Sequence, residues 1–213
     1  MPEVTGMRER RGRTRVWVDG EYWAEIDASV AAERGLREGV ALSGEELREI
    51  RAVGERALAM SRALHYLGYR ARSEKEVADR LRRYGYGEET VEGVIWRLGE
   101  LGYLDDEEFA RLKAREKARR YGPRRVSIEL LRSGVDPEIA RETVEEEFAR
   151  TDERAAAFSA AARRYNKRGA CDAEAQAEAR RVYGCLMRRG DSAEVCAEVA
   201  REYGGTASRE AGG

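Results

Sequence analysis

The stretch LGELGYLDDEEFARLKAREKARRYGPRR, residues 98–125, decides the fold, because it closes one helical unit and opens the next. Gly102 is a helix stop: the residue past a helix end often takes positive φ, and glycine does so without Cβ strain. Asp105 and Asp106 stand where a new helix begins, with Glu107 and Glu108 in its first turn, and the macrodipole favours negative charge there. Adjacent carboxylates also suit acid–base or metal chemistry, but their position makes capping the better reading. Ala110, Ala114, Ala118 and Tyr121 form a narrow stripe at helical spacing. Lys113, Lys117 and Arg120 flank it on one side, Arg111, Arg115 and Arg119 on the other. Gly122-Pro123 ends that helix, and Arg124-Arg125 carry the positive charge into the following one. From Arg111 to Arg125 there are eight basic residues and one acid, Glu116. Such a run is either a solvated face whose long stems cover apolar surface, or an attachment surface for phosphates or acidic protein.

Outward from this joint the same punctuation recurs. Leu81-Arg82-Arg83-Tyr84-Gly85, Leu130-Leu131-Arg132-Ser133-Gly134 and Leu186-Met187-Arg188-Arg189-Gly190 each read as an apolar residue, polar or basic residues, then a stopping glycine. The glycines lie 49 and then 56 residues apart, the self-similarity of a tandem helical array. Capping boxes at Ser43/Glu46 and Ser73/Glu76, Asp136-Pro137, and Ser192 mark helix starts. Ala57, Met60, Leu64 and Leu67 make one apolar stripe; Val91, Val94, Ile95, Leu98 and Leu101 make another. Toward the N-terminus, Asp19-Gly20 between Thr14–Val18 and Glu21–Ile26 predicts a hairpin with a type I′ turn. Asp27 caps a short helix through Arg34, and Trp17, Tyr22 and Trp23 are read as packing residues, with base stacking as the alternative.

The expected architecture is mainly α: tandem repeats of three-helix units in an elongated, curved array with a small N-terminal β-hairpin cap. The divisions are a disordered basic arm over 1–12, a hairpin and short helix over 13–42, repeats over 43–102, 103–150 and 151–203, and a flexible tail over 204–213.

Composition agrees with a thin body. Charged residues are 38% of the 213, and charge is rarely buried unpaired. The formal net charge of -1 gives no overall attraction to nucleic acid or anionic membrane, so an anionic partner needs local patches. Cys171, Cys185 and Cys196 form no CxxC and leave one over, which points to reduced thiols in a cytoplasmic protein. No signal peptide or membrane-length apolar run is visible. No phosphate loop, dinucleotide fingerprint, zinc motif or nucleophile elbow is present, and His65, the single histidine, has no ligand partners at suitable spacing. The sequence therefore predicts a binding protein without cofactor, metal or catalytic residues.

Three segments carry a family resemblance: Tyr66-Leu67-Gly68-Tyr69-Arg70-Ala71-Arg72-Ser73-Glu74-Lys75-Glu76-Val77, then Gly102-Tyr103-Leu104-Asp105-Asp106-Glu107-Glu108-Phe109-Ala110, then Tyr121-Gly122-Pro123-Arg124-Arg125. In order and spacing they resemble the signature segments of the RecX family of regulatory proteins, from about Ala57 to Phe148 and more weakly to Tyr203. The Asp19-Gly20 hairpin is similar to an N-terminal extension in some members. The resemblance implies a modulator of the RecA recombinase, acting in recombinational DNA repair and the SOS response. Such repeats lodge in the groove of the RecA filament on single-stranded DNA and restrain ATP hydrolysis, strand exchange and coprotease action; many members also bind DNA.

The candidate contact residues are Arg70, Arg72, Arg82, Arg83, Arg111, Lys113, Arg115, Lys117, Arg119, Arg120, Arg124 and Arg125. Arg80 in the first repeat, with Arg163, Arg164, Lys167 and Arg168 in the third, extends this track. The expected partners are the RecA filament, its single-stranded DNA and free DNA, with no membrane, and the expected state is a monomer. The alternative is a helix-turn-helix-like DNA-binding regulator, against which stands the scarcity of base-reading amides, Asn166 and Gln176 alone.

Overall fold

Two turns with positive φ at both central residues shape the N-terminus: Arg11 and Gly12 at 52° and 72°, Asp19 and Gly20 at 50° and 84°. In a computed structural model, which describes residues 1–149, 151–165 and 172–205, they join β1 (Val4–Arg10), β2 (Arg13–Val18) and β3 (Glu21–Asp27) into an antiparallel sheet. Residues 1–12, expected as a disordered arm, thus supply a third strand to the expected hairpin. The reason is that Val4, 1% exposed, has a core to enter. Beyond it, the free edge of β1 is held by Val4 N–H donating to the Val40 carbonyl and Gly39 N–H donating to the Val4 carbonyl, both at 2.9 Å. The three aromatics expected to pack together do not share one face. A register shift in the β2–β3 pairing sets Trp17 opposite Tyr22 and Val16 opposite Ala24, so that Trp23 turns inward against the core while Trp17 and Tyr22 face the other way.

The chain divides into two compact units, Met1–Asp105 and Asp106–Gly213. In the first, Asp27 caps α1 (Ala28–Glu33) through the Ser29 N–H at 2.9 Å. The full capping box of Ser43 and Glu46 starts α2 (Gly44–Leu67). Ser73 caps α3 (Glu74–Arg83) by accepting from the Glu76 N–H at 3.1 Å, while the Glu76 carboxylate pairs with Arg70 and Arg72. α4 (Glu88–Glu100) closes the unit, and Ala59, Ala63, Val77, Leu81, Val91 and Leu98 are buried together between α2, α3 and α4.

Gly54 is where α2 meets the sheet. A Cβ there would lie 2.5 Å from Ile26 Cβ and 2.6 Å from its Cγ2, and Ile26 is wholly buried. Gly54→Ala should therefore lower stability by about 1–3 kcal/mol through overpacking, despite a gain of roughly 1 kcal/mol in helix propensity. A denaturant midpoint that rises in this variant would show that the helix and β3 are not in such close contact.

In the second unit α5 (Asp106–Ala118) begins with Asp106, Glu107 and Glu108 in its first turn. It joins α6 (Pro123–Arg132) and α7 (Pro137–Phe148), which Asp136 caps through Glu138 and Ile139. α8 (Glu153–Ala162), α9 (Asp172–Arg189) and α10 (Ala193–Gly205) form the next repeat, in which Ser192 accepts from the Val195 N–H at 3.4 Å. Each triplet has its own apolar cluster, around Phe109, Val126, Leu130 and Val144 in one and around Ala157, Val182, Leu186 and Val199 in the other. α10 includes Gly204 and Gly205, expected in the tail; residues 206–213 lie outside the described residues, as do Asn166, Lys167, Arg168 and Cys171. Cys196 is buried and its thiol is pushed up to about 11 by desolvation first and the nearby Asp191 second, so it is a neutral packing group at physiological pH. Among the described residues no helix is long and apolar enough to cross a membrane.

Candidate anion-binding cleft

The second unit is locked internally by a backbone contact between its two repeats. The Gly122 N–H donates to the Arg189 carbonyl and the Arg124 N–H to the Gly190 carbonyl, both at 3.0 Å. Two of the otherwise orphaned donors at the start of α6 are satisfied in this way. Approach this close requires glycine on both sides. A Cβ on Gly122 would lie 2.5 Å from the Gly190 oxygen, and one on Gly190 would lie 2.5 Å from the Arg125 nitrogen. Asp191, 1% exposed, ties down the same turn through an ion pair with Arg189 at 2.5 Å. Burial pushes its carboxyl upward, and Arg189 opposes that shift.

Beside this lock lies a cleft of about 590 Å³. Arg119 and Arg120 follow the end of α5, Arg163 and Arg164 follow the end of α8, and Arg188 and Arg189 end α9; all six line the cleft with Tyr121, Ser159 and Cys185. Three helix C-termini thus bring their arginine pairs to one place. A helix C-terminus carries about half a negative charge, so the dipoles offset only part of this concentration. No carboxylate lines the cleft among the described residues. Arg189 is committed to Asp191, whereas the other five make no ion pair with a described residue. The chemistry offered is that of planar guanidinium forks, which bind phosphate or carboxylate bidentately.

The remaining candidates divide by what they touch. In the first unit Arg70 pairs with Glu76 at 3.0 Å, and Arg72 stacks over the Tyr66 ring at 3.9 Å while reaching Glu76 at 3.5 Å. Arg82 is held between Asp79 and Glu88; the Glu88 hydrogen bond raises the guanidinium pKa and lowers that of the carboxyl. Arg83 donates to the Asp79 carbonyl at 3.2 Å. In the second unit Arg111 pairs with Glu107, Lys117 with Glu116, and Arg125 with Glu129 while lying over Tyr121. Lys113 is a structural residue: it is half-buried, its amine bonds the Ser133 hydroxyl, and it lies over the Phe109 ring. Arg115, Arg119, Arg120 and Arg124 are exposed and make no ion pair with a described residue. Of the twelve candidates only Arg119 and Arg120 enter the cleft. Arg163 and Arg164 join them from the extended track, and Arg188 and Arg189 were legible only as repeat punctuation.

His65 is paired with Tyr69, whose hydroxyl lies 3.1 Å from Nε2. Among the described residues no cluster of three or more His, Cys, Asp or Glu is disposed to hold a metal ion.

Fold and cleft define a class: a tandem three-helix-repeat protein with an arginine-lined cleft that no carboxylate among the described residues lines. Residues 59–98 match the profile of the RecX first three-helix domain and residues 105–144 that of the RecX second three-helix domain. The Regulatory protein RecX of Lactobacillus gasseri is 33% identical over 150 residues, covering 68% of this chain and 55% of that protein. The Regulatory protein RecX of Listeria monocytogenes serotype 4a is 29% identical over 145 residues, covering 67% and 54%. This chain belongs to the RecX family of regulatory proteins. It spans about half the length of the curated relatives it matches. A crystal structure of regulatory protein RecX superposes with a TM-score of 0.62 at 22% identity, over 92% of this chain and 97% of that one. RecX from Lactobacillus salivarius gives 0.56 at 22%, over 70% and 96%. At such identity these two likenesses speak to fold.

Proposed function

We propose that the chain binds the RecA recombinase filament on single-stranded DNA as a monomer in the cytoplasm and restrains its ATP hydrolysis, strand exchange and coprotease action. Membership of a family of regulatory proteins supports the general role. The observation that carries the contact is the convergence of six arginines on a cleft with no described carboxylate. That surface suits a partner presenting phosphates or clustered acidic side chains, and a nucleoprotein filament offers both. Tandem repeats make several modest contacts that add through effective concentration. A ligand that spans neighbouring protomers shifts their equilibrium only as far as it prefers one filament conformation. Preference for a conformation poor in ATP turnover would account for all three restraints together.

The test is direct. Titrated onto recombinase filaments on single-stranded DNA, the chain should lower the ATP hydrolysis rate in a saturable manner and co-sediment with the filament. Unchanged hydrolysis with no co-sedimentation, at concentrations well above filament protomers, would overturn the reading.

A further inference from the structure

The N-terminal sheet carries a second basic surface, remote in sequence from the arginine cleft. Along β1 and β2 the pairing sets Arg8 directly opposite Arg15 and Arg10 directly opposite Arg13. Like charges in directly opposed positions destabilise a sheet, yet here two such pairs stand side by side with Arg11 in the adjoining turn. All five are exposed and line a cleft of about 390 Å³ with Glu25. Glu25 reaches Arg13 at 3.5 Å and Arg15 at 3.4 Å. Arg8, Arg10 and Arg11 make no ion pair with a described residue.

Two aromatics complete this face. Strand alternation puts Trp17 on the same side of β2 as Arg13 and Arg15, while Thr14 and Val16 are buried on the other. Trp17 lies over Gly6 and meets Tyr22 edge to face at 6.0 Å, and Tyr22 is 57% exposed. Neither belongs to the apolar core beneath the sheet, to which Trp23 is turned instead. Arg13 and Arg15 step along β2 by about 6.7 Å, which suits successive phosphates of an extended strand, with the aromatic pair at the end of the track to receive a base.

We infer that this outer sheet face, Arg8, Arg10, Arg13 and Arg15 with Trp17 and Tyr22, is a binding site for single-stranded nucleic acid. Arginines take the phosphates and the aromatic pair stacks an unpaired base, a sequence-tolerant mode. A duplex satisfies the arginines but offers no free base face to Tyr22, and an acidic polypeptide offers no base at all. The inference is independent of the recombinase reading, because no recombinase enters its test.

The sheet supplies its own control. In the double variant Arg8→Glu, Arg10→Glu both like-charge cross-strand pairs become opposite-charge pairs, so the unfolding midpoint of the full chain should hold or rise. Binding of a short oligothymidylate should meanwhile weaken at least tenfold at moderate salt. Wild-type protein should show tryptophan quenching by the oligonucleotide, lost in Trp17→Phe and reduced in Tyr22→Ala. The quench should survive charge reversal at Arg119, Arg163 and Arg188, which separates this face from the cleft. Wild-type affinity in the Arg8, Arg10 variant would overturn the inference. So would equal affinity for a duplex of the same length with the same dependence on Tyr22, or equal competition by polyglutamate.

Discussion

Gly190→Ala should cost the second unit about 2–5 kcal/mol, because it joins two penalties that Gly85 and Gly122 carry separately. Gly190 holds φ at +95°, and an added Cβ would also meet the backbone of Arg125 at 2.5 Å. Gly85, at the equivalent stop of the first repeat, holds φ at +89° with nothing within 4 Å of an added Cβ. Gly85→Ala therefore reports left-handed strain alone, about 1–2 kcal/mol. Gly122 has φ at −79°, open to any residue, while its Cβ would strike the Gly190 carbonyl at 2.5 Å. Gly122→Ala reports the close approach alone, roughly 1–3 kcal/mol or more, since backbone on both sides leaves no rotamer to yield. In thermal unfolding the order should be Gly190→Ala worst, with a midpoint lower by roughly 10 °C or more, then Gly122→Ala, then Gly85→Ala. Equal midpoints for Gly190→Ala and Gly85→Ala would show that the contact between repeats contributes nothing. Combining Gly122→Ala with Gly190→Ala should fall short of additivity, because both break the same contact.

Those glycines show what the sequence could and could not say. Gly85, Gly134 and Gly190 were legible as equivalent stops because positive φ past a helix end leaves a glycine wherever it occurs. That Gly190 also abuts Gly122 across the unit was not legible, since close backbone approach leaves the same letter. Ser43/Glu46 and Asp136-Pro137 were readable because a cap is satisfied within four residues of chain. β1 was missed for two reasons. Its outer positions are arginine and only Val4 and Met7 face the core, so alternation is faint; and its turn uses Arg11-Gly12 where a hairpin usually shows Asn or Asp. The basic run over 111–125 read as a candidate contact patch spread over both flanks of one stripe, yet Lys113, Lys117 and Arg125 are engaged by Ser133, Glu116 and Glu129. From that run the cleft takes only Arg119-Arg120, which tertiary packing joins to two further Arg-Arg pairs, Arg163-Arg164 and Arg188-Arg189, at helix C-termini far apart in sequence.

Charge reversal at three positions, Arg119→Glu, Arg163→Glu and Arg188→Glu, should abolish most of the proposed hold on the recombinase filament while leaving the fold intact. Each position comes from a different helix end, and none makes an ion pair with a described residue, so no buried carboxylate is left without its partner. Arg189 is excluded for that reason: its loss would strand Asp191 at 1% exposure and confound contact with folding. Lys113 is excluded because its amine bridges to Ser133 within the repeat. Placing glutamate at the ends of α5, α8 and α9 opposes the helix dipoles, each by about 0.3–1 kcal/mol at most when exposed, so the unfolding midpoint should drop only slightly. Reversal replaces three attractions with three repulsions, and the affinity should fall by roughly a hundredfold or more at low salt. If the cleft holds single-strand phosphates, the slope of log K against log salt should also flatten by about 0.7 for each contact removed. An acidic protein surface would give the affinity loss without that stoichiometric change in slope, so the salt series separates the two partners within the filament. Reversing Arg82 and Arg111, which are already engaged by Glu88 and Glu107, should do far less. Undiminished restraint of ATP hydrolysis by the folded triple variant would move the contact off the cleft altogether.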